Sequence, residues 1–339
     1  MPVFPELEVW IRDLRGKAIE YLTVIRERYA DIIEKSLEWL AFEDNPRRSD
    51  VAAVDSSFVG VETRMFYIFA VQALAVASRG RSFSRIARAG IIDYASLMKI
   101  VRGRFIQRVS PKNMLSFYAQ MLELEAMNEV LKENPVELAL FDGSITTFLM
   151  YRGRGIDEAP VYRVGDDVLT PLGIWSRKAE ILRELAQRTT ITFVAKTSYA
   201  GFYTGGALPD MGMLETMRLL GISKFSQKGF SEPRILTRDQ LIELLKIPEE
   251  LTDLLSVDAL TLTYVRFVDG GPLYQVAIVG RRGEKDLKRI VSALAAWSPG
   301  GYPLPLESVH RLSKLNKKEV RKLLIQYGVP IVSGREVLE

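Results

Sequence analysis

Val51–Gly60 reads VAAVDSSFVG: small and β-branched apolar residues, a lone carboxylate at Asp55, two serines, then apolar chain again. A short apolar run of this kind is the signature of a buried strand. After Gly60-Val61-Glu62-Thr63-Arg64 it resumes as MFYIFAVQALAVA, Met65–Ala77. The pattern predicts two adjacent strands joined by a short polar loop, with Asp55 within or beside the centre of a sheet. Val136–Ser144, VELALFDGS, repeats the device, its apolar run delivering Asp142 followed by Gly-Ser. A buried carboxylate without a partner is costly, and a shared cation is one of the few partners that makes it tolerable. Both aspartates equally suit a turn or N-cap, because Asp-Ser-Ser and Asp-Gly-Ser are good turn sequences.

Upstream, residues 6–42 hold no proline and one glycine, Gly16, and apolar side chains recur at helical spacing through Leu14, Ile19, Leu22, Ile25, Ile32, Ile33, Leu37 and Leu40. This predicts one long or once-broken amphipathic helix whose charged face (Arg12, Lys17, Arg26, Arg28) is solvated, with dimerisation or partner docking as a secondary role. Residues 1–50 form a helical extension on this reading. Residues 51–339 form one elaborated α/β domain, without internal repeat, low-complexity tract or sharp linker.

Downstream, the basic segment RGRSFSRIAR carries Arg79, Arg81 and Arg85, which suit phosphate contacts or an ordinary solvated loop. Ser110-Pro111 opens a helix reaching Asn134-Pro135. On it Glu123 shares a face with Ala119, Met127 and Val130, which favours it over Glu125 as an inward carboxylate. Arg188–Ser198 alternates as a strand ending at Lys196, a residue able to neutralise a phosphate or simply to end a strand. Tyr199–Phe230, rich in Gly, Met and aromatics, reads as a flexible, substrate-facing loop in which Phe202 and Tyr203 could stack on bases. A hairpin turns at Asp269-Gly270-Gly271, and a helix beginning near Pro305 carries the single histidine, His310, for which a structural role is the plain alternative.

Composition narrows the chemistry. The 339 residues are 47% apolar, ample for a packed core, and Lys plus Arg (46) slightly exceed Asp plus Glu (42). That bias permits an anionic partner without demanding one. Cysteine is absent, which removes disulfides, thiolate metal sites and cysteine nucleophiles, so a metal must be held by oxygen or by His310. Asn and Gln are scarce beside charged residues, a thermophile-like balance. No signal peptide or membrane-length apolar run is present, and the expected location is cytoplasmic. Cleavage of nucleic acid by two divalent cations needs several carboxylates converging on one point. Asp55 and Asp142 on strands, a helical glutamate and a late helical histidine are what an RNase H-like mixed sheet flanked by helices supplies.

The ordered set VDSSF (54–58), LEL (122–124), LALFDGS (138–144), FVAKTS (193–198), TYVRF (263–267) and GYPLPLESVHRLSKL (301–315) resembles the NurA nuclease family from Val51 to Leu315. The resemblance implies a manganese-binding, RNase H-like site acting on DNA ends, with 5′ to 3′ exonuclease and single-strand endonuclease activity. It also implies a homodimer that works with a hexameric ATPase translocase, HerA, in double-strand-break resection. Position by position it implies that Asp55, Glu123, Asp142 and His310 are the metal ligands and that Lys196 lies near the scissile phosphate; the two-cation chemistry above would then place Mn²⁺ or Mg²⁺, two ions, on these four. The chain departs from the family pattern in reading Asp-Ser-Ser at its first motif, in offering two glutamates in LELE, and in placing Gln275 and Ile278 where an Arg and an acidic residue are expected. The rival readings are a DNA-guiding scaffold on a translocase ring and a resolvase or transposase of the same fold.

Overall fold

The computed structural model describes residues 5–44, 46–63, 66–78, 82–93, 98–101, 104–107, 110–151, 161–204, 206, 208–219 and 221–331. Its helices are α1 Pro5–Ser36, α2 Pro111–Glu133, α3 Ile145–Leu149, α4 Pro171–Arg188, α5 Asp210–Leu219, α6 Arg238–Leu245, α7 Glu284–Ala296, α8 Leu304–Ser313 and α9 Lys317–Gln326. Its strands are β1 Trp39–Leu40, β2 Val51–Glu62, β3 Phe66–Ala77, β4 Phe83–Asp93, β5 Met98–Val101, β6 Arg104–Gln107, β7 Leu138–Asp142, β8 Tyr162–Val164, β9 Asp167–Leu169, β10 Thr190–Ala195, β11 Gly229–Ser231, β12 Arg234–Thr237, β13 Ala259–Arg266 and β14 Leu273–Val279. Among the described residues no helix is long and apolar enough to cross a membrane.

The two apolar runs around Asp55 form the expected antiparallel pair, in register from Ala52↔Ala77 to Glu62↔Tyr67. β4 completes a three-stranded meander. β7 then docks parallel to β2, and β10 parallel to β7. Parallel neighbours need long crossovers, and α2 and α4 provide them. The order β4-β3-β2-β7-β10 is the expected RNase H-like mixed sheet, extended on the β10 side by β14, β13, β11 and β1.

Period-2 alternation sorts the core into two layers. Ala52, Val54, Ala139, Phe141, Ile191 and Phe193 face α2 and α4, whereas Val51, Ala53, Leu138, Leu140 and Val194 face α7 and α8. Under the first layer Phe141 stacks on Phe193 at 4.9 Å, and Phe148 meets Phe193 edge-on at 5.0 Å. Such pairs add about 0.5–1.5 kcal/mol each beyond area burial. α2 is apolar nearly all round because the sheet covers one side and α4 another, so Glu123 is buried with its neighbours.

Three expectations are corrected. The first helix stops at Ser36, because Trp39 packs edge-on against Phe225 and donates its indole N–H to the Gln227 carbonyl, drawing Trp39–Leu40 into pairing with β11. The basic segment is a strand from Phe83 onward, since β3 offers a paired edge for its whole length. Within the stretch read as a loop, α5 buries Met211, Met213, Leu214 and Met217 against Tyr264 and Leu273. These methionines serve packing.

Candidate active site

β2 keeps β7 as a neighbour only as far as Val54↔Phe141 and then continues along β3 alone. The next residues on the two strands are Asp55 and Asp142. By alternation both point to the layer of α7 and α8, at the end of the sheet where the two strands part. Open α/β sheets bind ligands at such carboxyl ends of parallel strands. The chain leaves β7 through Gly143, whose φ of 108° favours glycine and whose N–H donates to the Val194 carbonyl at 3.0 Å. The turn reading of Asp-Gly-Ser therefore holds for Gly143. Asp55 lies inside β2, where no turn or helix start exists.

Each carboxylate is engaged by neighbouring side chains. Asp55 Oδ2 lies 2.7 Å from His310 Nδ1 and accepts from Ser313 Oγ at 3.3 Å. Its side chain is 13% exposed and that of His310 59%. Burial raises the Asp55 pKa, the His310 bond opposes the rise, and the charge of Asp142 adds to it. Asp142 Oδ2 accepts from Lys196 Nζ at 2.7 Å. Lys196 stands two residues past Val194, the partner of Asp142 across β7 and β10, so it shares that face. Its ammonium rests 4.5 Å over the Tyr302 ring. The Tyr302 hydroxyl is buried beside Asp142, and burial, then the charge of Asp142 and a hydrogen bond with it, raise its pKa.

Glu123 approaches from the opposite layer. Ser56, one residue beyond Asp55 and therefore facing α2, donates its hydroxyl to Glu123 Oε1. Burial, with the Asp55 charge next, pushes the Glu123 carboxyl up to about 8, against the pull of Ser56 and Lys178. Lys178 is itself buried, its ammonium donating to Gln120 Oε1 at 2.7 Å and the Phe148 carbonyl at 2.6 Å. Glu125 turns aside to Arg177 at 3.8 Å, so Glu123 is the inward glutamate.

A cavity of about 710 Å³ is lined by Asp55, Glu123, Asp142 and Lys196, together with Ser56 and Tyr199. His310 reaches this group only through Asp55. Among the described residues no three His, Asp or Glu side chains already converge as a metal shell. The donor set nevertheless fits a hard divalent cation: carboxylate oxygens from two strands and a helix, partly desolvated and mutually repelling. A cation would replace the proton that Glu123 now favours and the side chains now engaged by Asp55 and Asp142.

The expected DNA contacts are dispersed. Arg85 is exposed on β4, in the cross-strand row Asp55↔Leu74↔Arg85, and so on the same face as Asp55. Arg79 and Arg81 lie outside the described residues. Phe202 and Tyr203 are half-buried, the first against the core and the second with its hydroxyl bonded to the Glu232 carbonyl at 3.1 Å. Tyr199 is the aromatic on this loop that is 91% exposed. Sequence reasoning passed over Tyr199, Ser56, Tyr302 and Lys178. Lys178 had a readable signal, since it lies on the inward face of α4 with Ile174, Ile181, Leu182 and Leu185.

Comparison with known proteins bears on this geometry. Of curated proteins, the uncharacterized protein MJECL07 of Methanocaldococcus jannaschii is 32% identical over 87 residues, 22% of this chain and 21% of that protein. The DNA double-strand break repair nuclease NurA of Saccharolobus solfataricus is 29% identical over 137 residues, 40% of this chain and 38% of that protein. The matched stretch thus spans well under half of either relative. The fold superposes on the NurA nuclease from Sulfolobus solfataricus with a TM-score of 0.67 at 16% identity, covering 96% of this chain and 97% of that one. NurA with manganese gives 0.62 at 16% identity, covering 96% and 99%. NurA bound to dAMP and manganese gives 0.61 at 16% identity, covering 96% and 98%. A family model described as the NurA domain matches residues 49–315, so this chain belongs to the NurA domain family.

Proposed function

We propose that this protein is a metal-dependent DNA nuclease in which Asp55 and Asp142, with Glu123 and His310, hold Mn²⁺ or Mg²⁺, two ions when fully loaded. The observation that carries the reading is the placement of Asp55 and Asp142 on adjacent parallel strands, on one face, with Asp55 desolvated and repelled by its neighbour. Family membership supports the class of reaction, and the relatives solved with manganese and with dAMP support the metal and a nucleotide substrate. When bound, the metal supplies a Lewis acid for the phosphodiester and makes the hydrolytic water more acidic.

The chain's own groups do the rest. Ser56 fixes the Glu123 carboxyl from the far side of β2. His310, being exposed, can swing between Asp55 and solvent at little cost and so admit an ion. Lys196 is half-exposed and held by a single carboxylate, so it can turn to a phosphate oxygen and stabilise charge that develops there. Two strands away, about 10 Å from Asp55 at ordinary strand spacing, Arg85 is placed to hold a neighbouring phosphate. No protein nucleophile is required.

In this reading the products follow 5′ to 3′ degradation of ends and endonucleolytic cuts in single strands, in double-strand-break repair. Exposed Trp10, Ile11 and Leu14 on α1 support docking of a second copy and of a HerA-type hexameric ATPase, with residues 1–50 as the docking extension and 51–339 as the nuclease domain. The setting is cytoplasmic. Incubating end-labelled single- and double-stranded DNA with EDTA, Mg²⁺ or Mn²⁺ tests the reading. Progressive shortening only with metal supports it, binding without hydrolysis would establish a scaffold instead, and structure-selective nicking or strand transfer a resolvase or transposase.

A further inference from the structure

Residues Lys196–Tyr199 leave β10 as a ridge with a cavity on each flank. One is the carboxylate cavity; the other, about 660 Å³, is bounded by Pro209, Met211, Gly212, Glu215, Pro272 and Leu273. Its walls are largely apolar, and its carboxylate is neutralised, Glu215 meeting Arg218 at 2.7 Å and Arg266 at 2.9 Å. Tyr199 stands 91% exposed on the ridge. The loop behind it is pinned by Asp210, whose carboxylate accepts from the N–H of Phe202 at 2.6 Å and of Tyr203 at 3.0 Å, and whose own N–H donates to the Ala200 carbonyl at 2.8 Å. Gly212 sits in the first turn of α5. No atom lies within 4 Å of the Cβ it lacks, so packing does not demand it, and the space it leaves belongs to the cavity.

Resting on the nuclease reading, we propose that this second cavity is a nucleobase pocket. It takes the unpaired base of a nucleotide adjoining the phosphodiester held at Asp55 and Asp142, with Tyr199 as the stacking face and Gly212 keeping the pocket open. Three occupant requirements are met. The two cavities share the wall Lys196–Tyr199, so one strand can cross from one to the other. Three residues of extended chain span at most about 10 Å, a distance one or two nucleotides cover. The volume and apolar lining suit a flat heterocycle, and an exposed tyrosine face stacks on any base.

The test uses the full chain with Mn²⁺ and single-stranded oligonucleotides, either intact or abasic at one nucleotide beside the cleaved bond. Gly212→Leu fills the cavity from an unstrained position, Tyr199→Ala removes the stacking face, and Tyr199→Phe retains it. The first two should raise KM about tenfold with kcat within about twofold, and Tyr199→Phe should match the wild type. An abasic site should cost the wild type the same factor and add nothing in the first two variants. Unchanged KM, or abasic and protein losses that simply multiply, would overturn the pocket while wild-type cleavage keeps the nuclease reading. A wild-type chain that hydrolyses no DNA with Mn²⁺ overturns that reading and the pocket with it.

Discussion

Asp55 and Asp142 stand side by side, each the first residue past the last register pair, Val54↔Phe141, that joins their parallel strands. Without a cation the pair is a liability, which burial and mutual repulsion at Asp55 express. Asp55→Asn keeps the shape and removes the charge. It should raise the melting temperature in EDTA by roughly 1–3 °C, the scale of about 1 kcal/mol in a chain of this size, and abolish the further rise that Mn²⁺ gives the wild type. Calorimetric scans with and without Mn²⁺ decide it, and an undiminished Mn²⁺ response in the variant contradicts a metal role for Asp55.

Glu123, pushed up to about 8, makes metal-free stability pH-dependent in a defined direction. The folded state holds the proton more tightly than the unfolded one. Stability is therefore fully present below the ordinary glutamate range and is lost as pH rises toward 8, by on the order of a few kcal/mol. Glu123→Gln should flatten that fall. Because an ion must displace the proton, the wild-type melting shift with Mn²⁺ should grow between pH 6 and 8. Urea titrations across this range would expose a flat wild-type profile, which contradicts the buried acid.

Lys196 and Asp142 form a half-exposed pair, worth under about 1 kcal/mol to folding. Lys196→Met should leave melting nearly unchanged yet lower kcat by about 10² or more, the effect of losing one charge stabiliser on the transferring phosphate. Single-turnover cleavage rates separate this from a binding defect; a normal rate removes Lys196 from the chemistry.

Arg85 touches DNA, on this account, only through a phosphate. Arg85→Gln should weaken single-strand binding uniformly across sequences and reduce the slope of log affinity against log salt by nearly one. Fluorescence anisotropy in EDTA at several salt concentrations measures that slope, and an unaltered slope removes Arg85 from the strand's path.

The sheet was legible in the sequence because strand periodicity is local. VAAVDSSFVG, LALFD and TITFVA each announce a strand, and α2 carries its buried residues through Glu123. The choice of Glu123 over Glu125 came from helical offsets alone, and the structure turns Glu125 to Arg177. What stayed hidden depends on contacts between distant segments. Trp39–Leu40 reads as the last turn of a helix until β11 and Phe225 meet it. Phe202 and Tyr203 look like stacking residues until Asp210, eight and seven residues on, binds their N–H groups and turns the exposed role over to Tyr199. Ser56 and Tyr302 lay inside quoted motifs, but their placement against Glu123 and Asp142 follows from layer packing, which no motif states.

The central claim is that Asp55 and Asp142 together hold the metal that cleaves DNA. Its most direct test is cleavage of 3′-labelled single-stranded DNA with Mn²⁺ by the wild type, Asp55→Ala and Asp142→Ala, all confirmed folded by their melting in EDTA. The account predicts metal-dependent shortening by the wild type and at least a 10³-fold lower rate in either variant. Cleavage by either variant at the wild-type rate would contradict it.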